Sequence, residues 1–324
     1  MIKKNKYYYF FLISTERSGS NFIVHLFNNH RKICAPSPTH LFRLFGLNSH
    51  LFLNKNFSLN RKKLIYSFYK AYNSKFSYWS TNISLNLLLR KKFEDVCSIL
   101  KFAYQRQARK DKKFKILIKE NYTYQLIDFI LANIPDAKFI YLIRDPRSVA
   151  ASWLERNIYG GAKESVKIWK KDQIETLKVL SKMNKNKYYT IKYEDIIKRN
   201  NKYKKLFNFL DIKYEKNMEH FYKNKDTIIN SSLTDEWKNL SKPILKNNHK
   251  KFTKVLNKDE IKYVEKECCK LMKLFNYSRN YSKFNFNLNK IRRKKKVVSI
   301  EEQNLRNKRL NSIKKIISKK NLFN

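Results

Sequence analysis

The residues whose types first suggest chemistry are Arg17-Ser18-Gly19-Ser20. They follow the apolar run Tyr7 to Ile13 and precede Asn21 to Asn29, a stretch with apolar residues at helical spacing. A strand feeding a small-residue turn into a helix aims several backbone N–H groups, and the positive end of the helix dipole, at one point. Such a turn binds an anion. Gly19 permits close backbone approach, Ser18 and Ser20 offer hydroxyl donors, and Arg17 supplies a forked full charge. A second candidate lies downstream. Arg144 ends the apolar run Lys138 to Ile143, at the carboxyl end of a buried strand where ligands of open α/β sheets bind, and Ser152 follows eight positions later, about two helical turns on. An arginine and a serine so placed can grip a second phosphate from two sides. Each motif alone also has a plainer reading: an ordinary capped turn for Ser18-Gly19-Ser20, and a helix cap with a surface charge pair for Arg144-Asp145-Pro146-Arg147.

A nucleoside-triphosphatase loop would read GxxxxGK[ST]. Here Ser14 stands where the first glycine would be, and Ser20 follows Gly19 in place of lysine. The lysine that serves β- and γ-phosphates is missing, as is the magnesium-binding hydroxyl after it. The loop suits an anion that needs no metal, and a P-loop kinase is disfavoured.

The elements that must hold these residues follow from the apolar pattern. Tyr7 to Ile13 has the length and continuity of a strand buried on both faces, Phe114 to Ile118 reads as a second buried strand, and Lys138 to Ile143 and Tyr188 to Lys192 read as a third and a fourth strand. Helical patterns over Asn21 to Asn29, over Tyr124 to Ala132 and from Pro146 separate them, with Asp145 as a cap and Pro146 at the first helical position. Alternation at this spacing predicts α/β architecture: a central parallel sheet flanked by helices. Residues 31 to 60 read as irregular because of Pro36 and Pro38; residues 61 to 110 read as helical and lysine-rich, and the chain after Asn200 as mainly helical. Ile291 to Asn324 departs from the rest, with a run of basic residues and then Leu310, Ile313 and Ile317 at helical spacing. The expected division is a domain over residues 1–290 and a basic helical tail over 291–324.

Composition bounds the rest. The 324 residues carry 42% hydrophobic side chains with only four Gly and five Pro, which excludes a mainly disordered or collagenous chain. The apolar run at the N-terminus is far shorter than the roughly 20 residues of a membrane span, and no cleavage pattern follows it, so a soluble, unexported, cytoplasmic protein is expected. Cys34, Cys97, Cys268 and Cys269 imply neither a disulfide framework nor a zinc site. The formal charge of +46 invites a nucleic-acid or polyanion reading. Lysine, asparagine, isoleucine, tyrosine and phenylalanine are however over-used along the whole chain, and diffuse lysines decorate every solvated face without naming a function.

Together the two motifs resemble those of the sulfotransferases that use 3′-phosphoadenosine 5′-phosphosulfate (PAPS). In that family a strand, an Arg-Ser-Gly-Ser loop and a helix hold the 5′-phosphosulfate. A strand ending in Arg-Asp-Pro-Arg, with a serine eight residues on, holds the 3′-phosphate. Ile134 to Trp153 is similar to the family's second signature nearly letter for letter, Ile191 to Asp195 to a later strand-end signature, and the segment around Trp237 to one near the bound nucleotide. The resemblance spans about residues 7–280 and departs at Asn276, where a glycine is usual.

The resemblance implies a P-loop NTPase-like sulfotransferase fold and transfer of a sulfuryl group from PAPS, as co-substrate and without a metal, to a hydroxyl or amine of a carbohydrate or other small molecule. It assigns the nucleotide to Arg17, Ser18, Gly19, Ser20, Asn21, Arg144, Ser152 and Trp237. Arg17 and the loop N–H groups would stabilise charge on the leaving phosphate. Lys119, at a strand end, either adds charge to the same crevice or is a solvated lysine. His40 and Glu120 are competing candidates for the base, and the resemblance does not choose between them. Trp153 and Trp169 read as packed residues, His25 as a packed or surface residue, and Tyr193 and Glu194 as fixing the strand end. The competing reading is a basic nucleic-acid or polyanion binder on a degenerate sulfotransferase fold. Contact with anionic surfaces fits the charge; specific nucleic-acid recognition is not expected.

Overall fold

The structure, a computed structural model, describes residues 6–74, 77–156 and 160–293. Its strands are β1 (Tyr8–Ser14), β2 (Ile33–Cys34), β3 (Lys115–Lys119), β4 (Lys138–Ile143) and β5 (Tyr188–Lys192), ordered β2-β3-β1-β4-β5 with every pair parallel. The helices of the first half are α1 (Ser20–Asn28), α2 (Arg61–Tyr72), α3 (Leu85–Leu89), α4 (Val96–Lys110), α5 (Ile127–Asn133), α6 (Pro146–Glu155) and α7 (Gly161–Leu180). Then come α8 (Tyr193–Lys198), α9 (Asn201–Phe209), α10 (Lys225–Ser232), α11 (Phe252–Val255) and α12 (Lys258–Leu274).

Strand side chains alternate between faces, so each apolar run serves two cores. Phe11 and Ile13 of β1, Ile116 and Ile118 of β3 and Phe139 and Tyr141 of β4 pack beneath α4, α6, α7 and α12. Phe10 and Leu12, Leu117, and Ile140 and Leu142 face the other way, against α1, α8 and α9. A continuous apolar run is what two-sided burial demands. The chain leaves β1 through α1 on one face toward β2, and leaves β4 through α6 and α7 on the opposite face toward β5. The connections diverge between neighbouring strands and leave a crevice at their carboxyl ends.

The helical reading of residues 61 to 110 is resolved into three helices, each started by its own cap. The side chains of Asn60, Ser84 and Asp95 accept from the backbone N–H of Lys63, Leu87 and Ser98. The helix read over Tyr124 to Ala132 opens instead as one tight 3-10 turn, Thr123–Leu126, before α5. β2 lies inside the segment read as irregular; two residues beside prolines carry no periodicity to detect. Ile291 is buried, and Arg292 reaches the fully buried Glu260 at 2.6 Å, so the chain packs onto α12 up to that point. The rest of the basic tail, with its expected helix, lies outside the described residues. All four cysteines are free thiols, and no described helix is long and apolar enough to cross a membrane.

His25 ties three segments together. From α1 its Nδ1 lies 2.9 Å from Thr227 Oγ1 on α10, and its Nε2 lies 3.1 Å from Ser37 Oγ in the proline-rich segment. Burial drives its pKa from the ordinary 6.5 down to about 4. The unfolded chain therefore takes up a proton that the folded chain refuses, and His25 contributes stability that is full above pH 6.5 and lost as pH falls toward 4. The slope is ~1.4 kcal/mol per pH unit. Urea unfolding of the native chain and of His25→Gln, each at about pH 7 and about pH 4.5, should differ in acid sensitivity by roughly 2–3 kcal/mol, the variant being the less sensitive. Equal acid slopes would show that His25 is not held neutral.

Candidate active site

The turn after β1 is built by exclusion of side chains. Gly19 has φ +86°, and a Cβ there would stand 2.5 Å from the Tyr193 ring, so glycine is required both by the backbone and by the neighbour. Arg17 also takes a left-handed conformation, φ +68°, with Ser18 N donating back to Thr15 O at 3.2 Å. From below, α7 fixes the turn: Gln173 Nε2 donates to Thr15 Oγ1 at 2.7 Å while Tyr141 OH donates to Gln173 Oε1 at 2.6 Å. Beside it, burial raises the pKa of Asp172 to about 6, and Tyr124 OH donates to that carboxyl at 3.3 Å. The first turn of α1 starts at Ser20 with no side-chain cap, so its leading N–H groups face the crevice for an external acceptor.

The turn after β4 splits its two arginines between two jobs. Asp145 caps α6 by accepting from Arg147 N at 2.9 Å, with Pro146 opening the helix. Arg147 turns inward and is held at 2.6 Å by both Asp145 and the fully buried Glu265 of α12. The plain reading of a surface charge pair does not hold here, because both acids and Arg147 are buried. Arg144 turns the other way, with its guanidinium 4.3 Å from the centroid of the Tyr193 ring. Its Nη1 donates to Arg17 O at 3.0 Å and its Nη2 to Asn248 O at 3.2 Å, while its Nε is buried without a hydrogen-bond partner among the described residues.

The two motifs therefore touch. Besides the Arg144 bond to the Arg17 carbonyl, Arg17 Nε donates to Ser152 Oγ at 3.1 Å. Arg17, Gly19, Ser20, Asn21, Arg144, Ser152 and Trp237 line one cleft of about 200 Å³, together with Lys119 and His40. Two expected site residues sit elsewhere. Ser18 is fully buried and its Oγ finds no partner among the described residues, so it faces the protein rather than the cleft. Glu120 is fully buried behind His40: its Oε2 lies 3.0 Å from His40 Nδ1, and its Oε1 accepts from Phe42 N at 3.1 Å. The two candidates for the base are in direct contact. Lys119 Nζ donates to Asn121 Oδ1 at 2.7 Å at the cleft wall.

Trp169 is fully buried and donates to Arg144 O at 3.0 Å, and Trp153 is buried in the same core. Tyr193 supports both Gly19 and Arg144, and Glu194 accepts from Asp145 N at 3.2 Å and from Tyr277 OH at 2.9 Å. Residues with no motif of their own complete the cleft: Glu16, Glu155, Arg156, Glu236, Lys242 and Lys251. In a chain so rich in lysine, no local signal marks such charges. Burial lowers the pKa of Arg17, and Glu236 is the strongest charge opposing that shift. Among the described residues no group of three or more His, Cys, Asp or Glu side chains could hold a metal ion.

Residues 10–216 match the model of the Sulfotransferase family. The chain is similar in structure to the sulfotransferase domain from the curacin biosynthetic pathway, at 19% identity and a TM-score of 0.59, over 85% of this chain and 99% of that one. It is similar also to the sulfotransferase domain of the Synechococcus PCC 7002 olefin synthase, at 16% identity and a TM-score of 0.60, over 86% and 98% of the two chains. No curated sequence matches. The parallel sheet is thus that of a sulfotransferase fold, and since the family model covers more than half of the sequence, the chain belongs to the sulfotransferase family.

Proposed function

We propose that the protein transfers a sulfuryl group from PAPS to a hydroxyl or amine acceptor, in the cleft between the β1 and β4 turns. The observation that carries this reading is the direct contact of two anion-binding groups, Arg17 with Ser152 at 3.1 Å and Arg144 with the Arg17 carbonyl at 3.0 Å. One nucleotide can then be held at both phosphates. The Nε of Arg144, buried and without a partner among the described residues, and the uncapped start of α1 are donors in want of anionic acceptors, which fits such a ligand. Trp237, buried at the cleft wall, offers an apolar surface for adenine.

The residues divide the reaction as follows. An ionised Glu120 only accepts hydrogen bonds, so it holds the proton of His40 on Nδ1 and leaves Nε2 unprotonated, in the state that can take up a proton. His40 takes the acceptor's proton as the acceptor atom bonds to sulfur and the bond from sulfur to the 5′-phosphate oxygen breaks. Arg17 and the N–H groups at the start of α1 then stabilise the negative charge that grows on the departing phosphate. Lys119 adds a further cation at the same wall.

Three measurements test this reading. By calorimetry, adenosine 3′,5′-bisphosphate should bind the native chain, and Arg144→Ala should weaken it at least ~10-fold through loss of charge-assisted hydrogen bonds. Salt-dependent retention on DNA should not change in that variant; a parallel loss of both would favour the general polyanion binder. With labelled PAPS and a panel of carbohydrate, lipid and phenolic acceptors, acceptor-dependent release of the bisphosphate is expected. On the best acceptor, His40→Gln should lower kcat by roughly 10²–10⁴ with nucleotide affinity retained. Glu120→Gln, which keeps the imidazole and loses its orienting charge, should fall between that variant and the native enzyme.

A further inference from the structure

The wall of the cleft facing the β1 turn is made by the segment that follows α10, from Asp235–Ser241 to His249. Two acceptors on this segment engage the two arginines assigned to the phosphates. Glu236 Oε2 stands 3.6 Å from Arg17 Nη1, with the side chains 14% and 20% exposed, and Asn248 O accepts from Arg144 Nη2 at 3.2 Å. Trp237, next to Glu236 in the chain, is buried at the same wall.

We propose that Glu236 is a specificity-determining residue of the donor site: its carboxylate pairs with Arg17 in the cleft and yields only to a nucleotide that carries an anionic group at the 5′ position. The proposal rests on the reading that Arg17 receives the donor's 5′ group. The carboxylate and the 5′ anion compete for one guanidinium, so the observed affinity for a 5′-charged nucleotide is lowered by the fraction of protein in which the ion pair is intact. An adenine nucleotide without a 5′ charge leaves the pair alone and loses nothing to it. Glu236 therefore sets an affinity penalty that falls on one class of nucleotide only. A general negative potential in the cleft would penalise both classes.

The experiment compares adenosine 3′,5′-bisphosphate with adenosine 3′-monophosphate on the full chain, on Glu236→Gln and on Glu236→Ala, by calorimetry or competition. Both variants should bind the bisphosphate about tenfold more tightly, equivalent to ~1.4 kcal/mol, and bind the monophosphate as the native chain does, within about twofold. Equal tightening of both nucleotides overturns the proposal in favour of a general field effect. Unchanged or weaker binding of the bisphosphate by both variants also overturns it, and in the weaker case makes Glu236 a ligand of the nucleotide. If no form of the protein binds the bisphosphate, it is the PAPS reading that fails. If the native chain binds it and Arg144→Ala does not, that reading stands whatever Glu236 does.

Discussion

The site depends on one contact between turns, the Arg144 guanidinium donating to the carbonyl of Arg17 across the face of Tyr193. A cation at a strand end is ordinary; a cation whose donors are aimed at a neighbouring turn fixes the distance between the two turns. Tyr193 makes that distance reproducible, since its ring lies against Gly19 on one side and under Arg144 on the other. No residue with a Cβ fits at Gly19 without displacing the ring, so the glycine is a packing requirement as well as a backbone one. The parallel sheet supplies the frame: β1, β4 and β5 end side by side, and each contributes one member of this contact.

Much of this was legible from the chain because its chemistry is local. The strand, turn and helix around Gly19 carry their signal within about twenty neighbouring residues, and so does the strand ending at Arg144 with Asp145 and Pro146 behind it. β1, β3 and β4 are visible as apolar runs because two-sided burial leaves no room for polar alternation, whereas the edge strand β5, with only Ile191 buried, shows through its β-prone tyrosines, threonine and isoleucine. What stayed hidden needed three dimensions. β2 is two residues long, and Glu120 and His40, eighty positions apart, gave no hint that they touch. Ser18 looked like a ligand because hydroxyls bind anions, yet the tight turn from Thr15 to Ser18 folds its side chain inward.

The charge of the chain illustrates the same division. A net +46 describes the whole surface and says little of the cleft, where Glu16, Glu155 and Glu236 stand among Arg17, Lys119, Arg144, Arg156, Lys242 and Lys251. Lysines spread over solvated faces attract anions weakly, because water and salt screen them. Arg17 and Arg144 are different in kind. Each is largely withdrawn from water and held by specific hydrogen-bond acceptors, so an anion meeting them gains an interaction that the exposed lysines cannot provide.

Backbone conformation points to the same edge of the sheet. Arg17, His40 and Tyr122 all have positive φ, at +68°, +56° and +58°, although none is glycine. Arg17 follows the end of β1, His40 the prolines beyond β2, and Tyr122 the end of β3. Each such residue costs on the order of 1 kcal/mol against the right-handed alternative. The cost is met locally by the packing of the turns: Arg17 is held by Ser152 and Arg144, His40 by Glu120, and Tyr122 by the guanidinium of Arg43 at 4.6 Å from its ring centroid. Relaxing Arg17 or His40 would redirect a side chain that lines the cleft, so there the strain and the placement of the site are one feature of the fold.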